Sequence, residues 1–231
     1  MKVLVACEES QRVCIAFRER GHEAYSCDVK ECSGRHAEWH IVQDVLPLIN
    51  GRCKFKTMDG MLHEIVEKWD LLIAHPPCTY LSSVATRHHS IRCTPLNKIN
   101  QRTSKRIEAM QFFMRFANAE CDRICIENPK GVMNTCYRKP DQIVDPYMFA
   151  ESIEDTENYV TKATCFWLKN LPVLVENSLP KPNNEKMYGK SPNGKVKCWQ
   201  ECCTGKDGID RATVRSKTFS GIAKAMAEQW G

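Results

Sequence analysis

The sequence predicts an α/β protein with a doubly wound, mostly parallel β-sheet. Short apolar segments typical of buried parallel strands alternate with segments of helical periodicity, which is the pattern of repeated βαβ units. Right-handed crossover connections between such strands place helices on both faces of a sheet. Polar residues follow the predicted strands, and the carboxyl ends of strands are where open α/β sheets bind ligands.

The predicted elements alternate along the chain. Strands are predicted from apolar runs at residues 3–6, 23–27, 39–42, 70–74 and 123–126, with one or two more at 164–168 and 173–175. Helices are predicted over residues 10–20, 60–68, 104–120 and 218–230. Ser10 is the predicted N-cap of the first helix, and Gly21 its predicted end.

The composition of the chain changes in its last third. Residues 1–175 are predicted to form one α/β domain, and residues 176–210, rich in Pro, Gly, Asn and Lys, a basic loop or small insert. Residues 211–231 end in a helix expected to complete the first domain. Between Lys181 and Lys217 there are nine Lys and Arg against four Asp and Glu, which suits either phosphate contacts or an ordinary solvated loop.

Composition excludes several classes of protein. The chain has 231 residues, 42% of them hydrophobic and 26% charged, without low-complexity tracts, so a disordered protein is excluded. There is no apolar run long enough for a transmembrane helix and no apolar region long enough for a signal peptide, so a cytoplasmic protein is expected. The 14 cysteines are then thiols rather than a disulfide framework, and the net charge of +5 permits a nucleic-acid partner.

Cys78 is the candidate nucleophile. It follows the clearest predicted strand, in the segment His75-Pro76-Pro77-Cys78, where a rigid turn would hold an exposed thiol at the carboxyl end of the sheet. A loop cysteine without a role is the alternative. Glu127 and Asn128 follow the next predicted strand, and adjacent strands lie ~5 Å apart, so Glu127 and Cys78 could face one substrate.

The pair Pro76-Pro77-Cys78 and Glu127-Asn128 resembles two motifs of the DNA cytosine-5 methyltransferases. The resemblance implies a Rossmann-like methyltransferase fold and a covalent mechanism. Cys78 would attack C6 of a cytosine that has been flipped out of the duplex, and Glu127, beside Asn128, would hold the ring N3.

The same resemblance implies S-adenosylmethionine as the cofactor. The segment Ala6-Cys7-Glu8-Glu9-Ser10 takes the place of the family's glycine-rich first loop. Asp28 corresponds to the acid that binds the cofactor ribose, and Asp44 to the acid near adenine. Pro76 would line the same site, and Ser220, with the glycine that follows it, resembles the closing motif that packs beside the first loop. The resemblance covers residues 1 to about 130 and 215 to 231.

The chain departs from the family's pattern in two places. The Gln-x-Arg motif is missing between residues 135 and 175, where Lys162 is the nearest basic substitute or else a solvated lysine at a strand end. The large target-recognition domain is missing too, and residues 176–210 are the only segment that could replace it. The basic segment from Arg87 to Arg106 follows Cys78, where it could close over a phosphate backbone.

These observations predict a methyltransferase that transfers a methyl group from S-adenosylmethionine to C5 of cytosine in a nucleic acid, with DNA the first choice. The alternatives are a catalytically degenerate module that binds cofactor or nucleic acid, and a methyltransferase acting on a nucleotide, on RNA or on an exocyclic amine. No metal is expected, because the spacing of Cys198, Cys202 and Cys203 matches no strong zinc pattern. The sequence does not indicate the oligomeric state.

Overall fold

The computed structural model describes residues 1–203 and 211–231. Across these residues the strands are β1 (Lys2–Ala6), β2 (Glu23–Asp28), β3 (His40–Val42), β4 (Cys53–Lys56), β5 (Leu62–Ile65), β6 (Leu71–Ala74), β7 (Ile124–Pro129), β8 (Gln142–Val144) and β9 (Thr164–Lys169). The α-helices are α1 (Arg12–Glu19), α2 (Ser83–Thr86), α3 (Leu96–Ala117), α4 (Met133–Cys136), α5 (Asn184–Tyr188), α6 (Trp199–Cys202), α7 (Arg211–Ser216) and α8 (Ser220–Trp230).

Seven strands form one mixed sheet in the order β3-β2-β1-β6-β7-β9-β8. The pairings from β3 to β7 are parallel, whereas β9 runs antiparallel to both β7 and β8. The protein is therefore an α/β protein with a mostly parallel sheet, compatible with a Rossmann-like fold.

Buried side chains alternate between the two faces of this sheet, as the geometry of strands requires. Val3 and Val5 pack with α1 and α8 on one face, which we call the α8 face. Leu4 and Ala6 pack with Phe113 of α3 on the other, which we call the α3 face.

The structure corrects four of the predicted elements. Residues 60–68 are not helical, because the side chain of Asp59 and the positive φ of Gly60 form a tight turn between β4 and β5, which pair as a hairpin. Ser10 does not cap α1, which begins at Arg12 after Gln11. Residues 173–175 form no strand, and the seventh strand of the main sheet is instead the short β8.

The fourth correction concerns Glu127, Asn128 and Pro129. They lie within β7 and not beyond its end, because pairing with β9 continues to Pro129 opposite Thr164. Three of the predicted helices, α1, α3 and α8, are confirmed, with α3 beginning earlier than expected, at Leu96. None of the helices in the described parts of the chain is both long enough and apolar enough to cross a membrane.

Candidate active site

The candidate site lies at the carboxyl edge of the sheet, where β1 and β6 separate. From β1 the chain proceeds to β2 and β3 on one side, and later to β6 and β7 on the other, so the strand order reverses between β1 and β6. The backbone N–H of His75 donates to the carbonyl of Ala6, the buried last residue of β1, at 2.9 Å. The loops after these two strands therefore begin side by side, at the kind of position where such sheets bind ligands.

Glu8, in the first loop, caps α1 from inside the protein. Its side chain is only 4% exposed, and its carboxylate oxygens accept hydrogen bonds from the backbone N–H groups of Val13 (2.7 Å) and Cys14 (3.2 Å). A carboxylate at this position also complements the positive end of the helix dipole. Cys7 and Gln11 adopt left-handed backbone conformations on either side of this turn.

The rest of the first loop is joined to the segment after β2. The backbone carbonyl of Glu9 accepts a hydrogen bond from Ser33, and Ser10 is buried. A Cβ at Gly34 would lie 2.6 Å from the Cβ of Gln11, so the two segments can approach this closely only with glycine there. One carboxylate oxygen of Glu9, Oε2, is buried and has no hydrogen-bond partner in the described structure.

Two further acids extend the negative charge of this edge. Asp28 is half-buried at the end of β2, and Asp44 is exposed shortly after β3. Burial, followed by the charges of Asp28 and Asp44, raises the pKa of Cys7 well above its usual range. Because both charges act on the Cys7 thiol, the two carboxylates and the first loop share one region.

Asn128 fastens the Pro-Pro-Cys turn to β7. Its buried Nδ2 donates to the carbonyl of Pro76, which is also buried, at 2.7 Å. By strand alternation Asn128 lies on the α3 face with Ile126, whereas Glu127 lies on the α8 face with Cys125. Asn128 therefore holds the turn, and Glu127 is on the opposite side of the strand.

A second set of contacts holds the segment after Cys78. Val132 donates its backbone N–H to the Leu81 carbonyl (2.8 Å), and Ser83 donates to the Lys130 carbonyl (2.9 Å). A Cβ at Gly131 would lie 1.9 Å from the Leu81 carbonyl oxygen, so only glycine permits this approach. The turn that carries Cys78 is thus attached to the end of β7 on both sides.

The thiol of Cys78 is exposed in this turn. Its backbone carbonyl accepts hydrogen bonds from Leu81 and Ser82, which fixes the turn independently of the side chain. The pKa of the thiol is raised, first by the crowding that partly removes it from water and then by the charge of Glu127, while the positive charge of Lys162 lowers it. Cys78, Glu127 and Lys162 therefore act on one another electrostatically.

His75 and Glu127 form a buried ion pair on the α8 face. The register pairs Ala74 with Ile126, so the next residues of each strand lie side by side. His75 Nδ1 is 2.8 Å from Glu127 Oε2, and the side chains are 7% and 17% exposed. Burial alone would raise the pKa of Glu127, but the hydrogen bond and charge of His75, and the charge of Lys162, lower it below its usual value.

The amino group of Lys162 lies close to two aromatic rings, those of Trp199 and Phe219. Its Nζ donates to the backbone carbonyl of Arg215 at 2.8 Å and lies 5.3 Å from the ring centre of Phe219 and 5.8 Å from that of Trp199. These two rings pack edge to face, 5.0 Å apart. Burial lowers the pKa of Lys162, whereas the charges of Glu127 and Cys78 raise it.

Ser220 begins α8, directly after Phe219. Its hydroxyl bonds with the side chain of Asn158, which also accepts the backbone N–H of Gly221 at 2.8 Å. Nearby, Arg12 of α1 donates to the Thr218 carbonyl, and Lys217 donates to Ser33 beside the first loop. The start of α8 is thus close to the first loop, although the Ser220 hydroxyl is bonded within the protein.

A basic surface cavity adjoins the Cys78 turn. It has a volume of about 350 Å³ and is lined by Tyr80, His88, Cys93, Thr94, Pro95, Lys98, Gln101, Arg102 and Lys105. The Arg102 guanidinium lies 5.2 Å from the ring centre of Tyr80, and Arg106 donates to the Tyr80 carbonyl at 3.0 Å. Residues 71–107 contain six Lys and Arg and no Asp or Glu. This surface is therefore strongly positive.

His75, Trp199 and Phe219 are the site residues that sequence reasoning did not select. The position of His75 directly after a buried strand was visible, but its pairing with Glu127 depends on β7 continuing past Ile126. Cys198, Cys202 and Cys203 lie in and beside α6, and no cluster of three or more metal-binding side chains occurs within residues 1–203 and 211–231. Part of the predicted basic segment, residues 204–210, lies outside the described residues.

Two comparisons with known proteins bear on this chain. No protein-family model matches it, and no curated protein matches it. The case for its function therefore depends on its own residues.

Proposed function

We propose that this protein is an S-adenosylmethionine-dependent methyltransferase that methylates C5 of cytosine in DNA. We also propose that the sheet is doubly wound, as in a methyltransferase fold. The observation that carries it is the convergence of Cys78, Glu127 and Lys162 from three separate segments at the carboxyl edge of the sheet. Asn128, next to Glu127, holds the Pro76 carbonyl of the Cys78 turn at 2.7 Å, and the charges of Glu127 and Lys162 both act on the Cys78 thiol. A structural cysteine would need neither the exposed position nor the two charged neighbours.

The chemistry of cytosine explains why these groups would be needed together. C5 of cytosine is too weak a nucleophile to take a methyl group directly. Addition of the Cys78 thiolate to C6 moves an electron pair through the ring to N3, which takes up a proton from solvent, and C5 becomes an enamine carbon. Glu127 stabilises the adduct by accepting a hydrogen bond from the protonated N3. After methyl transfer, loss of the C5 proton returns its electron pair to the ring and expels the Cys78 thiolate. Lys162 stabilises the thiolate through its charge.

The first loop fits a cofactor without phosphate groups. In dinucleotide-binding folds the N-terminus of the first helix binds a pyrophosphate, but here Glu8 occupies the N–H groups of Val13 and Cys14 with a carboxylate. S-adenosylmethionine has hydroxyl, ammonium and sulfonium groups, which suit the acids Glu9, Asp28 and Asp44. Oε2 of Glu9 is buried without a partner and is therefore able to accept a hydrogen bond from a ligand. When bound, the cofactor supplies an electrophilic methyl carbon.

The basic cavity supports a nucleic acid as the substrate. It lies next to the Cys78 turn, and none of Arg92, Lys98, Arg102, Lys105 and Arg106 forms a salt bridge within the described part of the chain. Cationic side chains without acidic partners are typical of surfaces that contact phosphates. A free nucleotide would use only part of this surface.

The test is methylation of DNA by the purified protein. DNA is incubated with isotopically labelled S-adenosylmethionine, digested to nucleosides and measured by mass spectrometry. We expect labelled 5-methylcytosine with the wild type and with Cys136→Ser, which changes another exposed cysteine, but none with Cys78→Ser. DNA containing 5-fluorocytosine should form a covalent adduct through Cys78, because the C5 fluorine cannot leave as a cation.

Three other results would contradict the proposal. Label on an exocyclic amine, or on RNA or free nucleotide but not DNA, would identify a different methyltransferase. Binding of cofactor with no methylation of any of these would identify a degenerate module. An adduct that persists in Cys78→Ser would place the nucleophile elsewhere.

A further inference from the structure

His75 is a buried residue whose two ring nitrogens have different surroundings. Its side chain is 7% exposed, with Nδ1 2.8 Å from Glu127 Oε2. Its other ring nitrogen, Nε2, is buried and has no hydrogen-bond partner in the described structure. The backbone of His75 is held by the carbonyl of Ala6, so the ring is placed by the sheet and not by a mobile loop.

The hydrogen bond defines the role of each Glu127 oxygen. An ionised carboxylate only accepts hydrogen bonds, so His75 Nδ1 must carry the proton that lies between the two groups. If His75 is neutral, the proton is still on Nδ1, and the bare nitrogen is the unpartnered Nε2. In both states Oε2 is occupied by His75, and Oε1 is the oxygen left for a ligand.

We propose that His75 is the positioning residue of Glu127, whose Oε1 it presents to a ring nitrogen of the base bound beside Cys78. The identity of that base rests on the proposed function, whereas the pairing of His75 with Glu127 does not.

Charged groups from two other segments, Glu8 and Lys162, act on this pair. Burial would lower the pKa of His75, but the hydrogen bond and charge of Glu127, and then the charge of Glu8, raise it above its usual value. Lys162 opposes them and also acts on Glu127. Removing the Glu127 charge should therefore leave His75 buried beside a lysine. The pKa of His75 should then lie well below its value in the wild type.

An NMR titration tests the pairing without any enzymatic assay. Protein with ¹⁵N-labelled histidine is titrated as wild type and as Glu127→Gln, and the ring nitrogens of His75 are followed. We expect the His75 midpoint to fall in Glu127→Gln. His40, which bonds with Ser26 and the Lys30 carbonyl, is the internal control and should not change. A His75 midpoint that is the same in both proteins would overturn the proposal.

A second experiment separates positioning from simple packing. In His75→Asn the side-chain amide can donate from about the position of Nδ1, whereas His75→Phe fills the space without a donor. We expect kcat for methyl transfer to fall about 100-fold in His75→Phe, within the range of a general acid–base contribution, and less in His75→Asn, with KM for S-adenosylmethionine unchanged in both.

The kcat–pH profile should change with the same variants. Loss of the His75 charge raises the pKa of Glu127, so the profile of His75→Asn should be displaced from that of the wild type. Equal kcat in His75→Phe and wild type, or equal losses in both variants with an unchanged profile, would overturn the positioning role. If the wild type methylates nothing, the proposed function fails, and the NMR titration alone decides whether His75 holds Glu127.

Discussion

At the scale of single residues, partial burial and two opposite charges determine the pKa of Cys78. Its pKa is raised by partial burial and by Glu127, and lowered by Lys162. The thiol is therefore less ionised at neutral pH than a free cysteine, and Lys162 limits this loss of thiolate.

We predict that Lys162→Met slows alkylation of Cys78. Without the positive charge the pKa of Cys78 rises further, so less thiolate is present at a given pH. The measurement is the rate of iodoacetamide labelling of Cys78 between pH 7 and 10, followed by peptide mass spectrometry. Lys139→Met, which removes an exposed lysine that does not act on Cys78, is the control. An unchanged rate in Lys162→Met would show that the charge is too far from the thiol.

A substitution at Asp28 tests where the proposed cofactor binds. We expect Asp28→Ala to weaken binding of S-adenosylmethionine by about 1–3 kcal/mol, the usual loss for hydrogen bonds to a charged group. Isothermal titration calorimetry measures it, with Asp122→Ala at the opposite edge of the sheet as the control. Equal affinities for Asp28→Ala and the control would remove the cofactor from the end of β2.

Sequence reasoning selected Cys78, Glu127, Asn128 and Lys162, but not His75, the hydrogen-bond partner of Glu127. A Pro-Pro-Cys turn after an apolar strand is a local pattern that can be read directly. The His75–Glu127 pair is not local, because it depends on the register of β6 and β7 and on the antiparallel pairing that extends β7. The inward position of Glu8 depends on where α1 begins, one of the least predictable features of a sequence.

At the scale of secondary-structure elements, close backbone contact holds the turn that carries Cys78. We predict that Gly131→Ala destabilises the protein by about 1–3 kcal/mol, because the new Cβ must displace the Leu81 carbonyl. It should also reduce trapping of 5-fluorocytosine by Cys78, since the same contact positions the turn. Thermal unfolding and adduct yield are the two measurements. Lys130→Ala, at an exposed neighbour, should change neither one.

The cap of α1 should make stability depend on pH. Burial raises the pKa of Glu8, against the charge of His75 and the two backbone N–H groups that lower it. The folded state therefore holds this proton more tightly than the unfolded state. Its contribution to stability is complete below the ordinary glutamate pKa of about 4.3 and is lost as pH rises through the raised value.

We accordingly predict that Tm of the wild type falls relative to Tm of Glu8→Gln as pH rises from about 4 towards neutrality. Glutamine keeps an oxygen that can accept a backbone N–H but has no proton to lose. Thermal melts across this range provide the measurement, and Glu19→Gln at the exposed end of α1 is the control. A Tm difference that is constant with pH, or that grows in favour of the wild type, would contradict the prediction.

The elements themselves were predictable where their periodicity was long or their apolar run was continuous. β1, β2, β6, α3 and α8 are of this kind, and the structure confirms them. The β4–β5 hairpin was not predictable from the sequence. Its two short strands have mixed polarity and no clear period, and their turn depends on Asp59 and Gly60. β8, only three residues long, forms through pairing with β9.

At the scale of the whole molecule, charge is distributed unevenly. The net charge is only +5, yet residues 71–107 contain no acid. We predict that DNA affinity falls steeply with salt and that Lys98→Ala with Lys105→Ala lowers the slope of log K against log salt by about 2, the value for two lost phosphate contacts. Lys54→Ala with Lys56→Ala, on the hairpin, is the charge-matched control.

Fluorescence anisotropy with labelled DNA at several salt concentrations measures these slopes. An affinity that is independent of salt would indicate a substrate of nucleotide size. A slope that changes equally in both double variants would show a general effect of charge and not contact at the cavity.

The placement of Glu127 and Asn128 on opposite faces of β7 makes their order as important as their identity. If β7 slipped by one residue against β6, Glu127 would move to the α3 face and Asn128 to the α8 face, so neither side chain would meet its present partner. A molecule with that error would lose the fastening of the Cys78 turn and the acid beside it in a single step. Correct register of β7 is therefore a condition for the proposed chemistry, and molecules with a slipped β7 are expected to be inactive.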